Sequence, residues 1–384
     1  MTKFVPWIVW LFLFFTLIWP RPWPKRGKIG ASVGLTVLIF PYHLLRWSSD
    51  FSFGESLETW PHAVWLAAQF LFCSTVFLCL ITGLDLLLHT VSVWYAKRKA
   101  IPPKYRHQLI RFRIILPLSA VLSVLGIYFS LLPPLVREYS VQLQKYPSGA
   151  GELRIAAVSD LHFDPVYDFR YAARIVEKLN RLKPDAILLL GDYSNTLNGL
   201  TPAVLAELEK LSAPEGVFAV TGNHEYYPEG RNNFTRLSAI GIRFLCNESV
   251  KLKRENVYLA GVNDPSTLRG FPGKVKRDQR VPLVRKTVGN LPHRSTVILL
   301  SHQPALLTDA ASNGIDLQLS GHIHGGLFPV VHWLIELLKG PVHGYYREQD
   351  TGLIVSSGTG VWAGFPCRFG ILPEVVLVRI SGRD

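Results

Sequence analysis

Arg154-Ile155-Ala156-Ala157-Val158-Ser159-Asp160-Leu161-His162 is the stretch that decides the fold. Arg154 to Val158 is short and mostly apolar, which reads as a buried strand, and the polar chemistry begins where the strand ends. The same grammar returns four times. Ala186 to Leu190 ends at Gly191-Asp192, and Val217 to Val220 ends at Thr221-Gly222-Asn223-His224-Glu225. Val297 to Leu300 ends at Ser301-His302, and Leu317 to Leu319 runs into Gly321-His322-Ile323-His324-Gly325-Gly326. Between the early strands, Tyr171 to Leu182 and Pro202 to Leu211 have helical spacing, with Thr201 as an N-cap. After a helix near Asn233 to Ile240, further strands are expected at 242–245, 257–261, 353–355 and 375–380. A βαβαβ half followed by a strand-rich half predicts an α/β domain with more than one sheet.

In α/β sheets, ligands gather outside the carboxyl ends of the strands. Here those ends deliver Asp160, His162, Asp192, Asn223, His302, His322 and His324. Seven donors exceed the needs of one tetrahedral ion and suit two divalent ions that share a carboxylate. Imidazole, carboxylate and amide oxygen without thiolate favour Mn, with Fe or Zn as alternatives. Cys73, Cys79, Cys246 and Cys367 form no C-x-x-C pair, which argues against a thiolate zinc site. Cys246 and Cys367 would pair only in an oxidising compartment and only as neighbours in space. Each block alone is weak evidence. Five in order, each after a strand, leave a purely structural reading little room.

With these blocks on the page, the chain resembles the calcineurin-like metallophosphoesterase superfamily over roughly residues 152–381. It looks closest to a bacterial branch with a G-H-x-H-G-G block and a late Arg368-Phe369-Gly370-Ile371-Leu372-Pro373-Glu374 segment. That branch includes exported, membrane- or wall-associated phosphoesterases and relatives that split UDP-2,3-diacylglucosamine. The resemblance implies a four-layer αββα sandwich. It also implies that Asp160, His162 and His324 hold a first metal, that Asn223, His302 and His322 hold a second, and that Asp192 bridges them. His224 would contact the phosphate and assist the leaving group, with Asn223 beside it. The implied reaction is hydrolysis of a phosphodiester or pyrophosphate by in-line attack of a hydroxide between the cations. Three positions depart from the usual pattern: Asn195 for Asp, Ile323 for Thr, and Leu327 for Gln.

Residues 1–137 read differently. They hold 14 lysines and arginines against only Asp50, Glu55, Glu58 and Asp85, and so carry most of the chain's net charge of +13. The basic residues cluster in loops between apolar runs. That pattern is a membrane-topology signal, and no nucleic-acid partner is expected. Four transmembrane helices are predicted, at about 4–19, 29–47, 63–88 and 114–136, followed by a linker at 138–151 and the catalytic domain at 152–384. The first lacks a small-x-small cleavage site before Trp19-Pro20-Arg21-Pro22, which favours a retained helix. Loops with Arg21, Lys25, Arg26 and Lys28, and with Lys97 to Arg113, would stay in the cytoplasm. The domain would then face the extracytoplasmic side of a bacterial inner membrane, with lipids and a lipid-linked or envelope phosphate ester as partners. A cytoplasmic UDP-2,3-diacylglucosamine pyrophosphatase and an inert membrane scaffold of the same fold are the alternatives. Asp85, inside an apolar run, is a functional candidate by default, but its place beside the basic loop makes local solvation the simpler reading.

Weaker candidates complete the reading. Arg368 is a candidate for bidentate substrate-phosphate binding, and Asp264 for orienting a ligand or forming a turn. His293, His332 and His343 lack a strand-end context. The apolar stretch Phe328 to Leu338 with Trp333 is consistent with a helix that dips toward a bilayer, a wall of the substrate site, or ordinary core.

Overall fold

A computed structural model describes residues 5–49, 61–99, 108–254, 256–266, 283–362 and 365–382. The chain divides into two compact units, Met1–Tyr128 and Phe129–Asp384. Asp50, Glu55 and Glu58 of the acidic loop, and Lys104 and Arg106 of the basic loop, lie outside the described residues.

The first unit is helical: α1 (Val5–Leu13, continued by a π-helical turn Phe14–Ile18), α2 (Lys25–Ser49), α3 (His62–Arg98) and the start of α4 (Gln108–Leu131). Leu13, Leu35, Ile39, Leu78 and Ile115 form its core. Inside it, the Ser74 hydroxyl donates to Ser123 Oγ at 3.1 Å and joins α3 to α4. Among the described residues, α3 and the stretch Arg113–Leu131 are long and apolar enough to cross a membrane, by length and composition. The other two expected spans fall short of that standard. Val5–Ile18 is a shorter apolar helix, and α2 opens on Lys25, Arg26 and Lys28 and contains Pro41.

Among the described residues, the second unit holds two six-stranded sheets. The strands of the first are β1 (Leu135–Leu143), β2 (Leu153–Val158), β3 (Ala186–Leu189), β4 (Gly216–Ala219), β5 (Arg243–Phe244) and β12 (Glu374–Gly382). Their order is β1-β12-β2-β3-β4-β5. The second contains β6 (Glu248–Lys251), β7 (Val257–Gly261), β8 (Thr296–Leu300), β9 (Leu317–Ser320), β10 (Gly344–Glu348) and β11 (Thr351–Val355), in the order β10-β11-β9-β8-β7-β6. Alternate residues of each sheet meet in one core. Leu153, Ile155, Leu188, Val376 and Val378 pack with Leu259, Ile298, Leu300, Leu317 and Ile354.

Helices occupy the connections: α5 (Phe169–Arg181), α6 (Pro202–Leu208), α7 (Asn233–Ala239), α8 (Val284–Val288), α9 (Leu307–Ser312) and α10 (Pro329–Lys339). The side chain of Asp168 caps α5 by accepting from the Arg170 amide at 2.9 Å, and Thr201 caps α6 through Val204 N at 3.1 Å. From α8 and α9, Val284, Val288 and Ala310 pack against Ala260, Val297 and Leu299 of the second sheet.

Two boundaries differ from the sequence reading. Residues 138–143, expected as linker, belong to β1, which pairs in parallel with β12 from Leu135↔Glu374 to Leu143↔Gly382. The last expected span ends at Leu131, because Pro133 and Pro134 cannot continue a helix. The register has a consequence for the site. β12 is antiparallel to β2, with Val376 opposite Ala157. The first residues of β1 therefore lie at the same end of the sheet as the last residues of β2.

Candidate metal centre

The strand ends place all seven expected donors together. Asp160, His162 and His324 bring their ligand atoms within 4.8 Å of one another, and so do Asp192, His302 and His322. Asp192 also groups with His162 and His224 within that distance, so one carboxylate is common to both sides. On one side His162 Nε2 is 3.2 Å from His324 Nε2, and Asp160 Oδ1 is 3.4 Å from the latter. On the other, His302 Nε2 is 3.2 Å from His322 Nδ1, 3.3 Å from Asn223 Oδ1 and 3.3 Å from Asp192 Oδ2. Nitrogens held about 2.1 Å from a common ion stand about 3 Å apart, so both imidazole pairs fit that spacing.

The unpaired atoms make the same point. Among the described residues, Asp160 Oδ1 and the Nδ1 atoms of His162, His224 and His324 are buried without a hydrogen bond. A buried carboxylate oxygen left without a donor is costly unless a cation takes it. The backbone is held in sparsely populated geometry as well: Asp160, His162, Asp192, His322 and His324 have φ of 55°, 48°, 58°, 74° and 50°. Left-handed geometry costs each on the order of 1 kcal/mol, the kind of strain that gathers at functional sites. Two glycines let the loops close. A Cβ on Gly321 would strike the Ser159 hydroxyl and Asp160, and one on Gly222 would meet the Asp192 carboxylate.

Charge follows the same plan. Burial, aided by His224, holds the His162 imidazole well below its ordinary range. Burial and then Arg368 do the same for His324, and burial with His302 lowers His322. Burial works against the ionised form of Asp192, but His302 and His224 outweigh it and keep its carboxyl well below the usual carboxylate range. Burial also opposes a charge on His302, and there Asp192 prevails and raises it. An ionised Asp192 and neutral His162, His322 and His324 match the forms that divalent ions require of such ligands, whereas the proton that Asp192 favours on His302 would leave as an ion binds.

A cleft of about 270 Å³ opens over the centre, lined by His162, Asp192, Asn223, His224, Tyr227, His322, His324 and Trp362. His224 is fixed there by its backbone amide, which donates to Asp192 Oδ1 at 2.8 Å. Asn195 holds the loop beneath, where its Nδ2 donates to the His162 carbonyl at 3.1 Å and to Asp164 Oδ2 at 3.0 Å. Asp264 is buried, accepts from Gln303 Nε2 at 2.8 Å and turns its own loop through Ser266 N. Ile323 and Leu327 do not line this cleft.

Arg368 does not fit the substrate role expected of it. It is fully buried, and its Nη2 donates to the carbonyls of Ser357, Gly358 and Gly360 at 2.8, 3.1 and 2.6 Å. Its Nη2 is turned to backbone, and Arg368 is not among the residues that line the cleft. Cys246 and Cys367 are both free thiols, so the bridge between them is not formed. Of the remaining histidines, His343 Nε2 pairs with Glu374 at 3.0 Å and His332 Nδ1 meets the Gly325 carbonyl at 3.0 Å.

The sequence reading gave no role to Glu225, Tyr227 or Trp362. Glu225 is buried and accepts four donors: Gly222 N at 2.8 Å, Asp192 N at 3.0 Å, Asn233 Nδ2 at 3.0 Å and Tyr193 N at 3.1 Å. It joins the second and third strand ends. The only signal for it was its position directly after His224.

Residues 153–326 match the model of the calcineurin-like phosphoesterase family. A bovine transmembrane protein with a metallophosphoesterase domain is 30% identical over 78% of this chain and 69% of its own length. A metallophosphoesterase of Aquifex aeolicus is 34% identical over 65% of this chain and 92% of its own. The chain belongs to the calcineurin-like metallophosphoesterases. A Caenorhabditis elegans metallophosphoesterase is 29% identical over 77% of this chain, which spans 63% of that relative's length. Membership makes this chain a metal-dependent phosphoester hydrolase, and the cluster on Asp192 offers candidate ligands for divalent ions.

Proposed function

We propose that this metallophosphoesterase hydrolyses a phosphodiester or pyrophosphate bond with two divalent ions, Mn²⁺ by preference. The observation that carries the reading is the position of Asp192, whose carboxylate is common to the His162/His224 group and the His302/His322 group. Asp160, His162 and His324 would hold one ion, and Asn223, His302 and His322 the other. When bound, such a pair supplies Lewis-acid polarisation of phosphoryl oxygens and a more acidic water. The protein's own groups do the rest. Asn223 turns Oδ1 toward His302, and its Nδ2, which donates one hydrogen to the Tyr227 hydroxyl at 3.4 Å, keeps a second for an equatorial phosphoryl oxygen. His224, anchored to Asp192 through its amide, holds a proton at its ring for the departing oxygen. Tyr227 and Trp362 flank the substrate at the mouth of the cleft.

We also infer that the chain is anchored in a bacterial inner membrane by its four helical segments, with the catalytic unit outside. The basic loops support that orientation, and the apolar helices α3 and α4 support the anchoring. A lipid-linked or envelope phosphate ester is the substrate class that such an anchor favours. The test is turnover of bis-p-nitrophenyl phosphate by the purified full chain with Mn²⁺. A folded, metal-loaded protein inactive across several metals would favour the inert scaffold. A reporter fused after Asp384 that is active only in the cytoplasm would overturn the orientation and favour the UDP-2,3-diacylglucosamine reading.

A further inference from the structure

We propose that α10 (Pro329–Lys339) is an interfacial helix that lies in the bilayer surface and presents the metal centre to lipid-borne phosphate. This rests on the membrane-anchored reading above. The helix is amphipathic in the inverse sense. None of its eleven residues is buried. Its polar groups face the protein: His332 Nδ1 meets the Gly325 carbonyl at 3.0 Å, and Glu336 accepts from the Tyr346 hydroxyl at 2.9 Å. Its apolar groups face outward, with Leu337 82%, Val330 71%, Leu338 69% and Trp333 65% exposed. A patch of this kind on a catalytic unit marks a binding surface.

A second set of contacts says what covers it. Phe129, in the last turn of the apolar helix α4, meets the ring of Phe369 edge-on at 5.8 Å. Phe369 stacks on Phe328 at 6.1 Å, and Phe328 is the residue that caps α10. The end of a helix apolar enough to span a bilayer and the start of α10 therefore share one aromatic cluster. Leu135 and Val136, which follow α4 at once, are exposed as well. At about 1.5 Å per residue α10 is too short to cross a hydrocarbon core of about 30 Å, so it lies along the surface. Trp333 and Lys339 are the anchors expected of such a helix. The helix starts directly after the loop of His322 and His324, and a Cβ on Gly326 would strike the backbone of His332 at 2.7 Å. Docking of α10 thus sets the metal loop at the lipid surface.

The test uses the full chain in phosphatidylethanolamine–phosphatidylglycerol vesicles, with Cys79 and Cys246 replaced by Ser and a nitrobenzoxadiazole probe on Leu337→Cys. The control probe is on Asp350→Cys, an exposed position beside Gln142 and Lys145 at the far end of β1. The expected result is a blue-shifted Leu337→Cys probe, quenched by nitroxide lipid and shielded from iodide, with the Asp350→Cys probe quenched by iodide. Iodide quenching at both positions, in protein that floats with the vesicles, overturns the proposal and leaves the anchor intact. Shielding from iodide without nitroxide quenching means that a second copy covers the helix, and also overturns it. Failure of the chain to float with vesicles sinks the anchored reading and the proposal together.

Discussion

The carboxylate of Glu225 accepts the backbone amide of Asp192 at 3.0 Å, so an acid outside the candidate ligands holds the residue that both candidate groups share. Its other oxygen accepts Tyr193 N and Asn233 Nδ2, and no donor position is left for a neutral acid or an amide. Burial and then Asp192 raise the Glu225 carboxyl, while Asn233 and the backbone amides resist that rise.

Glu225→Gln replaces an acceptor with a donor against these N–H groups. Supporting partners of ligands typically contribute 10–100-fold in metal affinity or activity, and we expect a loss of about that size. A metal titration of purified protein, read beside its Tm, checks this. Unchanged affinity with a lowered Tm would reduce Glu225 to a packing role.

Arg368→Lys separates a role behind the centre from a role in substrate binding. The lysine ammonium ends one bond short of the Nη2 position on which the three carbonyls converge, and the unmet acceptors predict a loss of about 1–3 kcal/mol in stability. KM for bis-p-nitrophenyl phosphate should stay near the wild-type value. A large rise in KM at unchanged Tm would return Arg368 to the substrate.

Glu374 predicts an acid limb in stability. Burial disfavours its charge, but His343, the Ser357 amide and Arg137 outweigh this and hold it below its ordinary value of 4.5. A depressed carboxyl contributes fully above the unfolded value and is lost as pH falls through the folded one. Denaturation below about pH 4.5 should therefore steepen in the wild type and flatten in Glu374→Gln, which is expected to be weaker by about 1–3 kcal/mol at neutral pH. Parallel pH profiles would contradict this.

Trp362 is 45% exposed at the cleft mouth. Trp362→Ala should leave Tm unchanged and raise KM for an aromatic phosphodiester by about 2–10-fold, the range of one aromatic contact. Steady-state kinetics decides it.

What was legible beforehand follows from burial. β2, β3, β8, β9 and β11 are buried along nearly their whole length. An apolar run flags such strands, and ligands placed at their ends inherit that clarity. β1, β6 and β10 were not anticipated, and each is an edge strand with a mixed, half-exposed pattern. Glu225 was opaque for another reason, since its partners are backbone amides of residues up to 33 positions away. Arg368 is ambiguous in sequence because a guanidinium that suits phosphate can equally well turn one nitrogen to buried carbonyls. For α10 the sequence leaves bilayer contact, a wall of the site and ordinary core open, and only the structure turns its apolar residues outward.

We propose that two divalent ions share Asp192. Elemental analysis of the purified full chain and of Asp192→Asn decides this. We predict two divalent ions per wild-type chain, with fewer ions and no turnover in the variant. Turnover by folded wild-type protein free of metal, or a full metal complement in Asp192→Asn, would contradict it.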